Sequence, residues 1–215
     1  MSQPEVTVID YGIGNLLSVQ RGLEHCGAKV KISSDPKAIV SATRVVLPGV
    51  GAFAVGMEEL GRRGLDIAVR EVVDRGTPFL GICLGMQLLL DESDEFGTTA
   101  GLGLIPGRIV PVPAVDANGL PQKIPHIGWS PLVMPPGRVT WQGTILTAVN
   151  CGDAAYFVHS YMACPNNDNH RLADCLYGGI PIAAAISRDN VLGCQFHPEK
   201  SGEIGLRILR EFLLK

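Results

Sequence analysis

A cysteine set between glycines at the end of an apolar run fixes the architecture open to this 215-residue chain. Phe79–Ile82 has the length and apolarity of a buried strand. Gly81 and Gly85 flank Cys83, and a helical pattern over Met86–Leu90 follows at once. The run spells a strand–turn–helix elbow, the turn that lifts a nucleophile above the end of a sheet. Small flanking residues suit such a turn because its dihedrals are strained and other backbone passes close by. A helix start beside the thiol favours the thiolate and leaves backbone N–H groups unpaired. The plainer reading of Cys83 is a small buried hydrophobe, the fate of most free cysteines. The rest of the sequence decides between the two.

Val191-Leu-Gly-Cys-Gln-Phe-His197-Pro198-Glu199-Lys200-Ser201 reads as a strand running into a turn. An imidazole at its end can take a thiol proton and later return one to a leaving amine, because it titrates near neutral pH. A carboxylate two residues on lies on the same side of an extended segment and can hold the imidazole tautomer. Pro198 keeps His197 extended, and Ser201 is expected to cap the last helix. A lone His-x-Glu is ordinarily an exposed polar turn. Joined to a cysteine elbow in one small chain, it reads as the other two members of a Cys83–His197–Glu199 triad.

Val45-Val-Leu-Pro48-Gly49-Val50-Gly51 is a short apolar strand ending in a glycine-rich turn. Such turns aim backbone N–H groups at anions, so an N–H here and that of Leu84 can form an oxyanion hole. Gln87 lies one helical turn beyond Cys83, on the same face.

Short apolar strands over Glu5–Ile9, Lys29–Ile32, Val45–Leu47 and Phe79–Ile82 alternate with helical patterns over Leu16–Cys26, Pro36–Ser41 and two stretches within Phe53–Asp74. That alternation predicts an α/β fold, an open, mostly parallel sheet with helices on both faces and function at the strand C-termini. From Gly97 to about Pro165, proline and glycine become dense and β-type runs replace helices, which predicts a small antiparallel subsheet. Residues 138–153 carry no readable register. Strands near Ile182–Ser187 and Val191–Phe196 and a helix over Gly202–Leu213 close the chain. The five residues 91–95, Asp-Glu-Ser-Asp-Glu, are expected to be a solvated helix end.

Net charge of −3 gives no electrostatic case for nucleic acid or an anionic membrane. No basic-plus-apolar leader opens the chain and no apolar run reaches membrane-spanning length, so a cytoplasmic location is expected. The six cysteines show no Cys-x-x-Cys spacing, so no metal site is expected, and in a reducing compartment they stay reduced. Tyr11-Gly-Ile-Gly-Asn15 follows a strand and precedes a helix, as a dinucleotide fingerprint does. Its third glycine position is Leu17, which argues against nucleotide binding by that mechanism. His126 and His159 lie in apolar β-like stretches and read as core or subunit-contact histidines rather than bases.

Pro48-Gly-Val-Gly51, Gly81-Ile-Cys-Leu-Gly-Met-Gln87 and His197-Pro-Glu199 together resemble the triad-type, class-I glutamine amidotransferases. A narrower likeness, to the glutaminase subunits of imidazole glycerol phosphate synthase in histidine biosynthesis, is carried by five further runs. These are Asp10-Tyr-Gly-Ile-Gly-Asn15-Leu, Pro48-Gly-Val-Gly-Ala-Phe53, Pro125-His-Ile-Gly-Trp129, Tyr156-Phe-Val-His-Ser160-Tyr161 and Gln195-Phe-His-Pro-Glu-Lys-Ser201. The likeness runs from about residue 6 to the end, so residues 1–215 are expected to be one glutamine amidotransferase domain.

The resemblance implies hydrolysis of L-glutamine through a Cys83 thioester, with His197 as base and Glu199 orienting it. It puts the oxyanion at Leu84 N–H and at the Gly49–Val50 peptide, and substrate contacts at Gly51, Gln87, Glu95, Ser160 and Tyr161. Asn15, Trp129 and Tyr156 are implied to face the partner, a (β/α)8 cyclase that forms a heterodimer with the glutaminase. That cyclase receives ammonia and makes imidazole glycerol phosphate and AICAR; no cofactor is implied. Where such subunits read Gly-Trp-Asn, this chain has Gly128-Trp129-Ser130, which exchanges an amide for a hydroxyl. Two other readings stay open at this level. One is the same chemistry serving another acceptor, such as a surface-sugar amidotransferase; the other is a non-catalytic regulatory subunit, against which the intact triad argues.

Overall fold

The computed structural model describes residues 3–215. β1 (Glu5–Ile9) leads through α1 (Leu16–His25) to β2 (Lys29–Ser33), and α2 (Pro36–Val40) returns the chain to β3 (Val45–Gly49). Next come α3 (Phe53–Arg62), α4 (Leu65–Asp74), β4 (Phe79–Cys83) and, with no intervening loop, α5 (Leu84–Gln87). Short strands follow: β5 (Glu92–Ser93), β6 (Thr99–Ala100), β7 (Gly107–Pro111), β8 (His126–Pro131), β9 (Ala154–His159) and β10 (Tyr161–Pro165). β11 (Arg171–Tyr177), β12 (Ile180–Arg188), β13 (Val191–Cys194) and α6 (Gly202–Leu213) complete the chain.

Seven strands form the main sheet in the order β11-β12-β13-β4-β3-β1-β2. From β13 to β2 every pairing is parallel, and β12 and β11 extend that edge antiparallel. Every residue of β3, β4 and β13 is buried, as expected of parallel strands covered on both faces. Side chains alternate across the sheet. Val8, Val46 and Leu80 pack with Val19 and Leu23 of α1 and Ile208 and Phe212 of α6. Ile9, Leu47 and Phe79 point the other way, to Ile39, Leu60 and Val69 of α2, α3 and α4. Among the described residues no helix is long and apolar enough to cross a membrane.

The early strands and helices lie where their hydrophobic periods put them, and the subsheet region is indeed β-rich. The small antiparallel subsheet is present, as a four-strand sheet β10-β7-β5-β6 in which only the β5–β7 pairing is parallel, with a separate antiparallel β8–β9 hairpin beside it. Two local expectations change, and a third region gains its anchor. The helix after Cys83 spans Leu84–Gln87 rather than Met86–Leu90, because Leu89 and Leu90 N–H turn back to Met86 and Gln87 carbonyls and tighten the last turn. Residues 91–95 are no helix end: Glu92 and Ser93 form β5, with Ser93 fully buried. Residues 138–153 form neither helix nor strand and are pinned instead by the buried Trp141 indole, which donates to the Leu172 carbonyl at 2.8 Å.

Candidate active site

Three neighbouring parallel strands end together. Gly49 of β3 is the register partner of Cys83 of β4, and Cys194 of β13 is that of Ile82. The C-terminal ends therefore bring the glycine turn, the cysteine and the Gln195-Phe-His197 run to one edge, where open α/β sheets place their sites.

Cys83 stands at φ 55° and ψ −112°, a backbone state that few side-chain-bearing residues adopt. Its flanking glycines are steric requirements. A Cβ at Gly81 would stand 2.6 Å from the Gly85 carbonyl oxygen, and one at Gly85 would overlap the Leu47 carbonyl. The thiol lies 3.9 Å from the Val158 carbonyl and 3.8 Å from the Gln195 side-chain nitrogen.

His197 is extended at φ −98°, fixed by Pro198 and by its own N–H, which donates to the Tyr156 carbonyl at 3.0 Å. Its Nδ1 meets Glu199 Oε1 at 2.8 Å, with both side chains almost wholly buried. Nε2 is buried and free of any hydrogen bond. Burial alone would push this imidazolium down. Cys83 and Glu199 outweigh it and hold His197 up to about 9.

Cys83 and His197 line a cavity of about 300 Å³ together with Val50, Gly51, Leu84, Gln87, Glu95, Ser160 and Tyr161. Glu199 stands behind His197, and Gly49 lies buried beneath the turn. Glu95 crosses from the small sheet, and its Oε2 accepts from the Phe53 N–H at 2.5 Å, capping α3, whose own N-cap Ala52 offers no side-chain acceptor. Asn15, Trp129 and Tyr156 lie away from the cavity lining. Asn15 caps α1 through Ser18 N–H, and Trp129 is 57% exposed and edge-packed on Tyr156 across the β8–β9 hairpin.

Two neighbours were not legible as site residues. Gln195 is fully buried beneath the thiol, and its Oε1 accepts from Gln87 Nε2 at 3.0 Å. Gln87 Nε2 also donates to the Tyr161 carbonyl at 3.2 Å. His159 lines the cavity too, its Nδ1 2.8 Å from that same carbonyl and its Nε2 2.9 Å from His126 Nδ1. The only signal for Gln195 was its place two residues before His197, which puts both side chains on one face of a strand end. Among the described residues no group of three His, Cys, Asp or Glu side chains is placed to hold a metal ion.

A strained cysteine elbow facing a buried His–Glu pair at the end of a parallel sheet has the geometry that triad-type acyl transfer uses. Residues 7–215 match the family described as glutamine amidotransferase class-I, and the chain belongs to that family of glutamine-hydrolysing enzymes. It is 50% identical over 208 residues to imidazole glycerol phosphate synthase subunit HisH 1 of Legionella pneumophila (strain Lens), covering 97% of this chain and 98% of that one. It is 47% identical to the HisH subunit of Geobacillus sp. (strain WCH70), over 96% and 95% of the two chains. Among solved structures, PurLQS from Thermotoga maritima shares the fold with a TM-score of 0.71 at 20% identity over the full length of both chains.

Proposed function

We propose that this chain is the glutaminase subunit of an imidazole glycerol phosphate synthase. It hydrolyses L-glutamine and hands the ammonia to a cyclase partner in histidine biosynthesis, with residues 1–215 acting as one glutaminase domain. The observation that carries the chemistry is the meeting of Cys83 and the His197–Glu199 pair in one closed-backed cavity. Near full-length likeness to HisH subunits supports the acceptor.

Cys83 Sγ, its proton already passed to His197 Nε2, attacks the side-chain amide carbon of glutamine. Glu199, bonded to Nδ1, aims Nε2 at the thiolate and stabilises the imidazolium. The oxyanion is received by the N–H groups of Leu84 and Val50, the second belonging to the Gly49–Val50 peptide. Collapse breaks the carbon–nitrogen bond, and His197 gives its proton to the departing nitrogen, releasing ammonia. Water then attacks the thioester with His197 as base, so glutamate leaves and the thiol is restored.

Gly51, Gln87, Ser160 and Tyr161 hold the substrate, and the remaining carboxylate oxygen of Glu95 suits its α-ammonium group. Ammonia released into neutral water is mostly protonated and loses its nucleophilic lone pair, so release directly to a second enzyme keeps it reactive. Trp129, Tyr156 and Asn15 supply the face for that partner, a (β/α)8 cyclase in a heterodimer. An exposed tryptophan braced by a tyrosine is a typical anchor for such a contact.

The test is glutamate release by wild type and Cys83→Ala, alone and with the cyclase subunit and its nucleotide-like ligand. Expected is release that the liganded cyclase stimulates and that Cys83→Ala lowers by about four orders of magnitude. Release untouched by Cys83→Ala would overturn the mechanism. Release indifferent to the cyclase would overturn the acceptor and point to another synthase.

A further inference from the structure

Tyr11, two residues beyond the end of β1, is completely buried, and its hydroxyl has no hydrogen-bond partner. A buried polar atom without a partner is a standing cost that a phenylalanine would avoid. The hydroxyl lies against the turn that follows β3. A Cβ built on Gly49 would overlap the Tyr11 hydroxyl first, with Leu84 Cβ at 3.0 Å and Gly85 N at 3.1 Å next. Burial pushes the phenol far above its ordinary range, with Cys83 adding to the shift, so Tyr11 stays a neutral donor. It takes no part in lining the cavity.

The turn beside it has the freedom to move. Gly49 and Gly51 bracket Val50, Gly51 sits at φ +96°, and Val50 is 43% exposed, so packing is light on the Val50 side of the peptide while Gly49 is buried. In a trans peptide the C=O and N–H point in opposite directions. When Val50 N–H faces the cavity, the Gly49 carbonyl therefore faces away from it, toward the buried side where Tyr11 waits.

We propose that Tyr11 is a positioning residue for the oxyanion turn: its hydroxyl donates to the Gly49 carbonyl in the orientation that presents Val50 N–H to Cys83. This rests on the reading in which Val50 N–H receives the oxyanion. The hydroxyl is idle in one orientation of the peptide and bonded in the other, so it biases the turn toward the competent one. It never touches substrate.

The experiment compares wild type and Tyr11→Phe, each as the full chain in complex with its cyclase subunit, by glutamate release across glutamine concentrations and by thermal melting. Expected is a kcat lower by about five- to ten-fold, the worth of one neutral hydrogen bond, with KM for glutamine within two-fold and a melting temperature unchanged or higher. Full kcat in Tyr11→Phe overturns the proposal, since the hydroxyl is then idle in both orientations. A melting temperature that falls along with kcat also overturns it, since the hydroxyl is then merely structural. A wild type that releases no glutamate would instead remove the glutaminase reading, and the proposal with it.

Discussion

The Ser201 hydroxyl donates to the His197 carbonyl oxygen at 2.7 Å instead of capping the helix that begins one residue later. The Ser201 hydroxyl oxygen accepts from the Tyr156 N–H at 3.0 Å, and the His197 N–H donates to the Tyr156 carbonyl at 3.0 Å. The last two bonds strap the segment carrying the His197–Glu199 pair to strand β9. Ser201→Ala would leave the Tyr156 N–H without its acceptor and the His197 carbonyl with the Lys200 N–H as its remaining donor. Expected is a loss of about 2 kcal/mol in urea unfolding, with a lower kcat for glutaminase because the imidazole is less firmly placed. An unaltered midpoint and rate would show that the strap is dispensable.

Two buried histidines pull stability in opposite directions with pH. His197 is held up to about 9 against an ordinary 6.5, so its contribution is complete below pH 6.5 and is lost as pH rises through 9. Burial holds His159 down to about 4, so its contribution is complete above 6.5 and is lost as pH falls through 4. Thermal melts from pH 4 to 9.5 are expected to show a maximum near neutrality. Glu199→Gln should flatten the alkaline limb and leave the acid limb, and His159→Gln should do the reverse. Identical profiles for all three proteins would contradict both assignments.

The elbow glycines permit a paired test of backbone sterics. Alanine at Gly85 would drive its Cβ into the Leu47 carbonyl, where backbone cannot yield cheaply. A cost of about 3 kcal/mol or more is expected, together with loss of glutaminase activity. Gly61, near the end of α3, has open space around its Cβ position and an ordinary φ. Gly61→Ala should raise stability by about 0.5–1 kcal/mol with activity intact. Chemical unfolding of both variants beside wild type measures the contrast.

Ser130 ends a hydrogen-bonded chain whose proton positions follow from one acceptor. The Tyr161 carbonyl can only accept, so His159 carries its proton on Nδ1 and accepts at Nε2 from His126 Nδ1–H. His126 Nε2 must then accept from the Ser130 hydroxyl, 2.9 Å away. Burial, which pushes both imidazoles down, keeps them neutral as this pattern requires. Ser130→Ala should cost about 1–2 kcal/mol in unfolding free energy while kcat holds. Nitrogen chemical shifts of the two imidazoles test the tautomers directly.

What the sequence determined was whatever depends on neighbours along the chain. Short apolar runs located the strands of the main sheet except β11, 3.6-residue periods located its helices, and Gly81-Ile-Cys83-Leu-Gly85 announced a strained elbow, because a single local backbone path demands those residues. His197-Pro-Glu199 announced an imidazole oriented by its own carboxylate for the same reason. Contacts between distant segments decided the rest. Ser201 looked like a helix cap because capping is the local use of a serine, yet Tyr156 and His197 compete for its hydroxyl and win. Glu92 and Ser93 looked like a solvated helix end because their charge is local, while their pairing with Arg108 and Ile109 of β7 is not. Gln195 beneath the thiol and the unpartnered Tyr11 hydroxyl behind the Gly49–Val50 turn became visible only once parallel strands had brought residues far apart in sequence side by side. Register between strands is set by packing across the whole sheet, and a linear pattern carries no record of it.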